Sequence, residues 1–188
     1  MMETMAADDE QLMAGVREGE IAKLEPLFDR HHRALFHFFL RLTSNRPASE
    51  DLVQDVFYRI LKYRHTYQDG TSFRAWMYQI GRNALADFAA RHKAEVALPD
   101  EAGDFAAGGP APDRSAQSAQ EAALLHRALK ALPAEKREVL VLSRFQGLKY
   151  EEIATVLKCE VGTVKVRVYR ALRELGDRFY ALSGERAS

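Results

Sequence analysis

The residues of this chain best suited to chemistry are cations and aromatics at helical spacing, and what they suit is the holding of nucleic acid. From Tyr150 to Arg170 the sequence reads as two short helices joined by about four residues, the helix-turn-helix arrangement. Ile153, Ala154 and Leu157 give the inner face of the first helix. Cys159 and Val161 point inward from the turn, Thr163 caps the second helix, and Val164, Val168 and Leu172 supply its buried stripe. The opposite face presents Lys165, Arg167, Tyr169, Arg170 and Arg173, with charge for phosphates and forked donors for guanine edges. A lone basic helix is more often a solvated surface. The preceding helix and turn at the right spacing favour DNA contact instead. Cys159, the single cysteine, has no activating partner nearby in sequence and reads as a small apolar residue of the turn.

A second set interleaves aromatics with arginines: Tyr63, Arg64, Tyr67, Phe73, Arg74, Trp76, Tyr78, Arg82, Asn83, Arg91 and Lys93. Separated DNA strands expose base faces that aromatics stack on, and an aromatic-lined pocket holds a flipped base. Trp76 and Ile80 read more simply as core at helical spacing. Asn83 is polar, near the apolar stripe, and able to hydrogen-bond a base edge. Asp51, Gln54 and Asp55 sit off the apolar stripe of their helix, where exposed acids suit a basic partner helix. Glu50 and Asp51 also favour a helix N-terminus without any partner.

These residues require helices to position them. From Leu52, apolar side chains at Val53, Val56, Phe57, Ile60 and Leu61 mark one helical face, with Asn45, Ser49 or Asp51 as its cap and Pro47 in the turn before it. An earlier helix covers roughly Leu24 to Leu42, and a later one about Ser72 to Arg91. The C-terminal block begins with a helix at Gln120 to Leu132, ended by Pro133. Helices at Ala134 to Phe145, Tyr150 to Leu157 and Thr163 to about Tyr180 follow. No stretch alternates as a half-buried strand does, so the fold class is all-α.

Two helical blocks, 20–95 and 119–183, flank a Pro- and Gly-rich segment at 96–118 that buries too little to order itself and reads as a flexible linker. Residues 1–19 form an acidic N-terminal extension. Net charge is zero over 188 residues, yet it is patterned: −5 over 1–25, +4 over 26–95, −3 over 96–117 and +4 over 118–183. Screening limits electrostatic reach to roughly 8–10 Å at physiological salt, so the local blocks matter more than the sum. Met1 to Glu10 is acidic and lacks the apolar core of a secretory signal. No apolar run is long enough to span a membrane. With one cysteine, these features lead to an expectation of a reducing cytoplasm and no cofactor.

The run Leu132 to Phe145, then Gly147 to Ala154, then Val161 to Leu172 resembles the fourth conserved region of bacterial sigma factors. Glu50 to Lys62 resembles their second conserved region, and Phe73 to Asp87 their promoter-melting segment. With no room for a third region, the chain is similar to the extracytoplasmic-function (ECF) group. The resemblance implies that Thr163, Lys165, Arg167, Tyr169 and Arg170 face the minus-thirty-five element. It assigns Asn83 and the loop from Tyr67 to Phe73 to a flipped minus-ten base, and Arg82, Arg91 and Lys93 to nearby DNA. It implies that Asp51, Gln54 and Asp55 meet core RNA polymerase, and that an anti-sigma protein holds the chain inactive. Val166 stands where many relatives have serine, a departure that bears on sequence preference. No catalysis is implied. Open alternatives are an effector-responsive helix-turn-helix regulator with a ligand pocket in 20–95, a protein-binding adaptor, and a nucleic-acid enzyme with a metal at Glu50, Asp51 and Asp55.

Overall fold

The computed structural model describes residues 7–95 and 116–184, with side chains over 7–92 and 120–184. Among the described residues there are eight α-helices and no strand. They are α1 (Asp9–Arg17), α2 (Leu24–Thr43), α3 (Arg46–Tyr63), α4 (Phe73–Glu95), α5 (Ala116–Lys130), α6 (Ala134–Leu140), α7 (Tyr150–Leu157) and α8 (Val161–Ser183). Most of the linker expected at 96–118 lies outside the described residues, and α5 begins just inside its end.

Helix α1 lies within the acidic extension and is a full member of the fold. Asp8 accepts the Gln11 N–H at 2.7 Å while the Gln11 side chain accepts the Asp8 N–H at 3.2 Å, a reciprocal cap. Leu12, Met13 and Val16 are buried against the neighbouring helices. Of the three cap residues expected for α3, Asn45 is the one used: its side chain accepts the Ala48 N–H at 3.0 Å. Pro47 sits in the first turn, where its missing donor costs nothing. Leu27, Leu35, Phe38 and Phe39 of α2 pack with Leu52, Val56 and Ile60 of α3 and with Met77 and Tyr78 of α4. Burying side chains of this size is worth about 1.5–3 kcal/mol each. Gly81 lets α4 approach closely, since an added Cβ would stand 3.3 Å from the Phe39 ring.

The helix expected from Ala134 to Phe145 changes character at Leu140 and continues as a wide π-turn, Val141–Phe145. Gly147, at φ +64°, completes the reversal. This turn delivers Phe145 and Gln146 to the N-terminal helices. The Tyr78 hydroxyl donates to Gln146 Oε1 at 2.7 Å, Arg74 donates to the Gln146 carbonyl, and the Arg41 guanidinium lies 4.5 Å above the Phe145 ring. Arg82 pairs with Glu138 at 3.0 Å, Arg137 donates to the Leu42 carbonyl at 3.0 Å, and Ser72 donates to Glu152 at 2.7 Å. The two helical blocks therefore pack directly on each other, chiefly α4 against α7. An apolar cluster runs through both blocks, and the polar ties around it leave no periodic trace in the sequence.

Candidate nucleic-acid interface

Helix α8 stands with one face in the core and one in solvent. Its buried stripe is Val164, Val168 and Ala171, with Leu175 partly covered. Leu172, expected in that stripe, is exposed, because the turn starts the helix at Val161 and the smaller Ala171 meets the neighbouring helices. Thr163 is not the cap either. The extended residue before the helix is Glu160, and Thr163 is the third helical residue, exposed. In α7, Val156 is buried with Ile153 and Ala154, while Leu157 is only partly covered. Cys159 packs partly buried at the turn.

The outward face of α8 carries Thr163, Lys165, Arg167, Tyr169 and Arg170, all exposed, with Tyr169 at 63% and Val166 at 48%. Lys165, Tyr169 and Arg170 make no hydrogen bond or ion pair among the described residues. Their donors are free for an external acceptor. The helix itself is fixed behind them: Glu174 takes Lys136 of α6 and Arg178 one turn on, and those bonds hold its carboxyl below the usual range.

The second set is arranged differently from expectation. Tyr67 and Phe73 are buried at 2% and 0%. The Tyr67 hydroxyl donates to the Thr71 carbonyl at 2.6 Å, and its ring meets Trp76 edge-on at 5.2 Å. Burial, with Glu10 and Asp69 nearby, pushes the Tyr67 phenol up to about 12. These two aromatics are the stems of a loop, and Gln68, Asp69 and Gly70 form its exposed rim, with Gly70 at φ +78°. Direct stacking of a base on Tyr67 or Phe73 is ruled out in this conformation. Asn83 is exposed and has no partner among the described residues. It opens into a 330 Å³ cleft between α4 and α6, beside Arg82, Arg137 and Glu138. Arg82 is committed to Glu138, whose carboxyl burial pushes upward against the opposing pull of Arg82. Arg91 is exposed and, among the described residues, donates only to the Asp87 carbonyl, at 3.4 Å. The Lys93 side chain lies outside the described residues.

On α3, Asp51 and Gln54 are exposed as expected. Asp55 is not free. It pairs with Arg59 at 3.0 Å, and Arg59 also takes Asp87 of α4 at 2.7 Å. Tyr58, 62% exposed, stands one turn beyond Gln54 on the same stripe. Its position seven residues after Asp51 places it on that stripe in the sequence as well.

Residues 27–95 match the family description Sigma-70 region 2, and residues 122–175 match Sigma-70, region 4. The ECF RNA polymerase sigma factor SigL of Mycobacterium tuberculosis is 32% identical over 170 residues, covering 87% of this chain and 92% of that protein. The chain belongs to the ECF group of RNA polymerase sigma factors. It is also 33% identical to the ECF RNA polymerase sigma factor SigE of Mycolicibacterium smegmatis, covering 87% of this chain and 64% of that protein. A solved structure of the sigma factor RpoE in complex with the anti-sigma factor NepR, from Bartonella quintana, superposes with a TM-score of 0.69 at 27% identity, over 82% of this chain and 94% of that one. In this sigma factor, region 2 comprises most of α2 with α3 and α4, and region 4 comprises most of α5 to α8. Helix α1 lies outside both matches.

Proposed function

We propose that this sigma factor uses residues 20–95 to dock on core RNA polymerase and read the minus-ten element, and residues 119–183 to read the minus-thirty-five element. The observation that carries this reading is the outward face of α8, whose Lys165, Tyr169 and Arg170 have no partner among the described residues while the helix behind them is fixed. Such a face enters a major groove with phosphate-directed charge and base-directed forks. Asp51, Gln54 and Tyr58 form the polymerase-facing stripe of α3. Asn83 and the loop rim Gln68 to Gly70 hold the displaced minus-ten base, with Arg91 and Lys93 on the adjoining backbone. Arg82 joins them when Glu138 withdraws. Tethering the two units raises the effective concentration of the second contact once the first has formed.

The chain supplies recognition and leaves phosphoryl chemistry to the polymerase, acting where the polymerase acts, in the cytoplasm. The similarity to RpoE, solved with an anti-sigma factor, supports an anti-sigma partner here as well. None of the described helices is long and apolar enough to cross a membrane. The test is co-elution of the purified chain with core polymerase, followed by footprinting of the complex on genomic fragments. Protection of two elements about two helical turns apart is expected. Binding of free duplex by the chain alone, with no polymerase association, would point to a stand-alone regulator.

A further inference from the structure

Helix α1 is neither part of the region 2 match nor among the residues expected to touch DNA or polymerase, yet it grips both stems of the loop assigned to the minus-ten base. Arg17 donates to Asp69 through both terminal nitrogens, at 2.9 and 3.1 Å, and to the Tyr67 carbonyl at 3.3 Å. At the other stem, the Glu10 carboxylate accepts the Phe73 N–H at 3.0 Å, the first backbone donor of α4. The helix is itself anchored from behind. Asp9 meets His31 Nε2 at 2.5 Å and Arg30 at 2.8 Å on α2, and the His31 ring packs against Phe73. Leu12, Met13 and Val16 seal the contact.

We infer that Arg17 and Glu10 are positioning residues for minus-ten recognition, setting the shape of the loop from Tyr67 to Phe73 from outside it. The inference rests on that loop being the base-reading element. Among the described residues, the only other hydrogen bond between the loop and a side chain outside it is that of Ser72 to Glu152, which belongs to the C-terminal block. When that block moves to its own promoter element, the hydrogen bonds from Arg17 and Glu10 of α1 are the ones that remain on the loop, beside the ring contacts of His31 and Trp76. A fixed Tyr67 carbonyl and Asp69 carboxylate leave Gln68 and the Gly70 backbone in one presentation toward a displaced base. Without Arg17 the rim samples several, and discrimination between bases falls while affinity for core does not.

The experiment is transcription of fragmented genomic DNA by core polymerase with the full chain, with sequencing of transcript 5′ ends to give the base preference at each promoter position. Arg17→Met keeps the aliphatic stem and removes the donors. It should flatten the preference at one or two minus-ten positions by roughly fivefold, leaving the minus-thirty-five preference and co-elution with core unchanged. Glu10→Gln should act in the same direction. Arg17→Lys, which keeps one donor at that position, should recover part of the discrimination that Arg17→Met loses, with equal melting temperatures for the two variants excluding a loss of fold. If Gln68→Ala alters minus-ten preference while Arg17→Met and Glu10→Gln do not, α1 is scaffolding and the inference fails. If Gln68→Ala and Asn83→Ala also leave the preference untouched, the base-reading role of the loop fails and takes the inference with it.

Discussion

Asp51 and Asp55 lie one turn apart on α3 in different surroundings. Asp51 points to solvent, whereas Asp55 is half of a tie that runs through Arg59 to Asp87 on α4. Asp51→Lys should therefore weaken co-elution with core polymerase and leave thermal stability alone. Asp55→Lys should lower the melting temperature by about 2–4 °C whether or not core binding changes. Equal effects of both variants on core binding with no loss of stability would mean that Asp55 faces the partner directly. Asp9 gives a pH dependence. Burial opposes its ionisation, but Arg30 and His31 outweigh it and hold its carboxyl below the usual carboxylate range. A depressed folded value means a contribution present above the ordinary carboxylate range and lost as pH falls through and below it. The stability gap between the parent chain and Asp9→Asn, followed by the emission of the single tryptophan, Trp76, should be widest near neutrality and close below about pH 4. A gap that persists in acid would remove the ion pair from the anchoring of α1.

At the scale of elements, the helices themselves were legible because apolar spacing is a direct consequence of their geometry. The bounds of α2, α3, α4 and α7 fall within a few residues of those the pattern predicts, and α8 extends past both of its expected ends. Three things were not legible. Helix α1 is short, and its acidic residues mask the Leu12, Met13 and Val16 face. The π-turn after Leu140 keeps an apolar pattern while changing its hydrogen bonding. The destinations of Tyr67, Phe73 and Arg82 depend on what packs over them. An aromatic or arginine carries the same symbol whether it meets a base, a core or a carboxylate. The cationic face of α8 was read correctly as exposed because its alternation with Val164 and Val168 is local. Replacing Arg167 and Arg170 together by Ala should weaken upstream-element recognition, each bidentate base contact being worth about 1–3 kcal/mol. It should also flatten the salt dependence of binding by roughly one unit per lost phosphate contact. Unchanged footprints and salt slope would remove α8 from the groove.

The whole molecule is closed. The C-terminal block lies on α4, and Arg74, Tyr78 and Arg82 are spent on the contact. Polar ties flank the apolar cluster that both blocks share, and they are imperfect: Arg137 reaches the Leu42 and Leu132 carbonyls, but its Nε is buried with no partner among the described residues. Leaving such a donor unmet costs about 1–3 kcal/mol, and interfaces of this kind within a chain resemble transient ones. Opening is therefore expected on engagement of polymerase and DNA. Paired labels at the exposed Glu25 and Glu151 positions should report a single short distance in the free chain and a longer one in the complex. A distance that does not change would require both promoter elements to be read from the closed form.

This chain confers promoter choice on a polymerase that has none of its own. Core RNA polymerase with the purified chain, on genomic DNA with transcript 5′ ends mapped, tests it most directly. A discrete set of new start sites is expected, each preceded by the same pair of spaced elements and absent with core alone. The same scattered starts with and without the chain would contradict it.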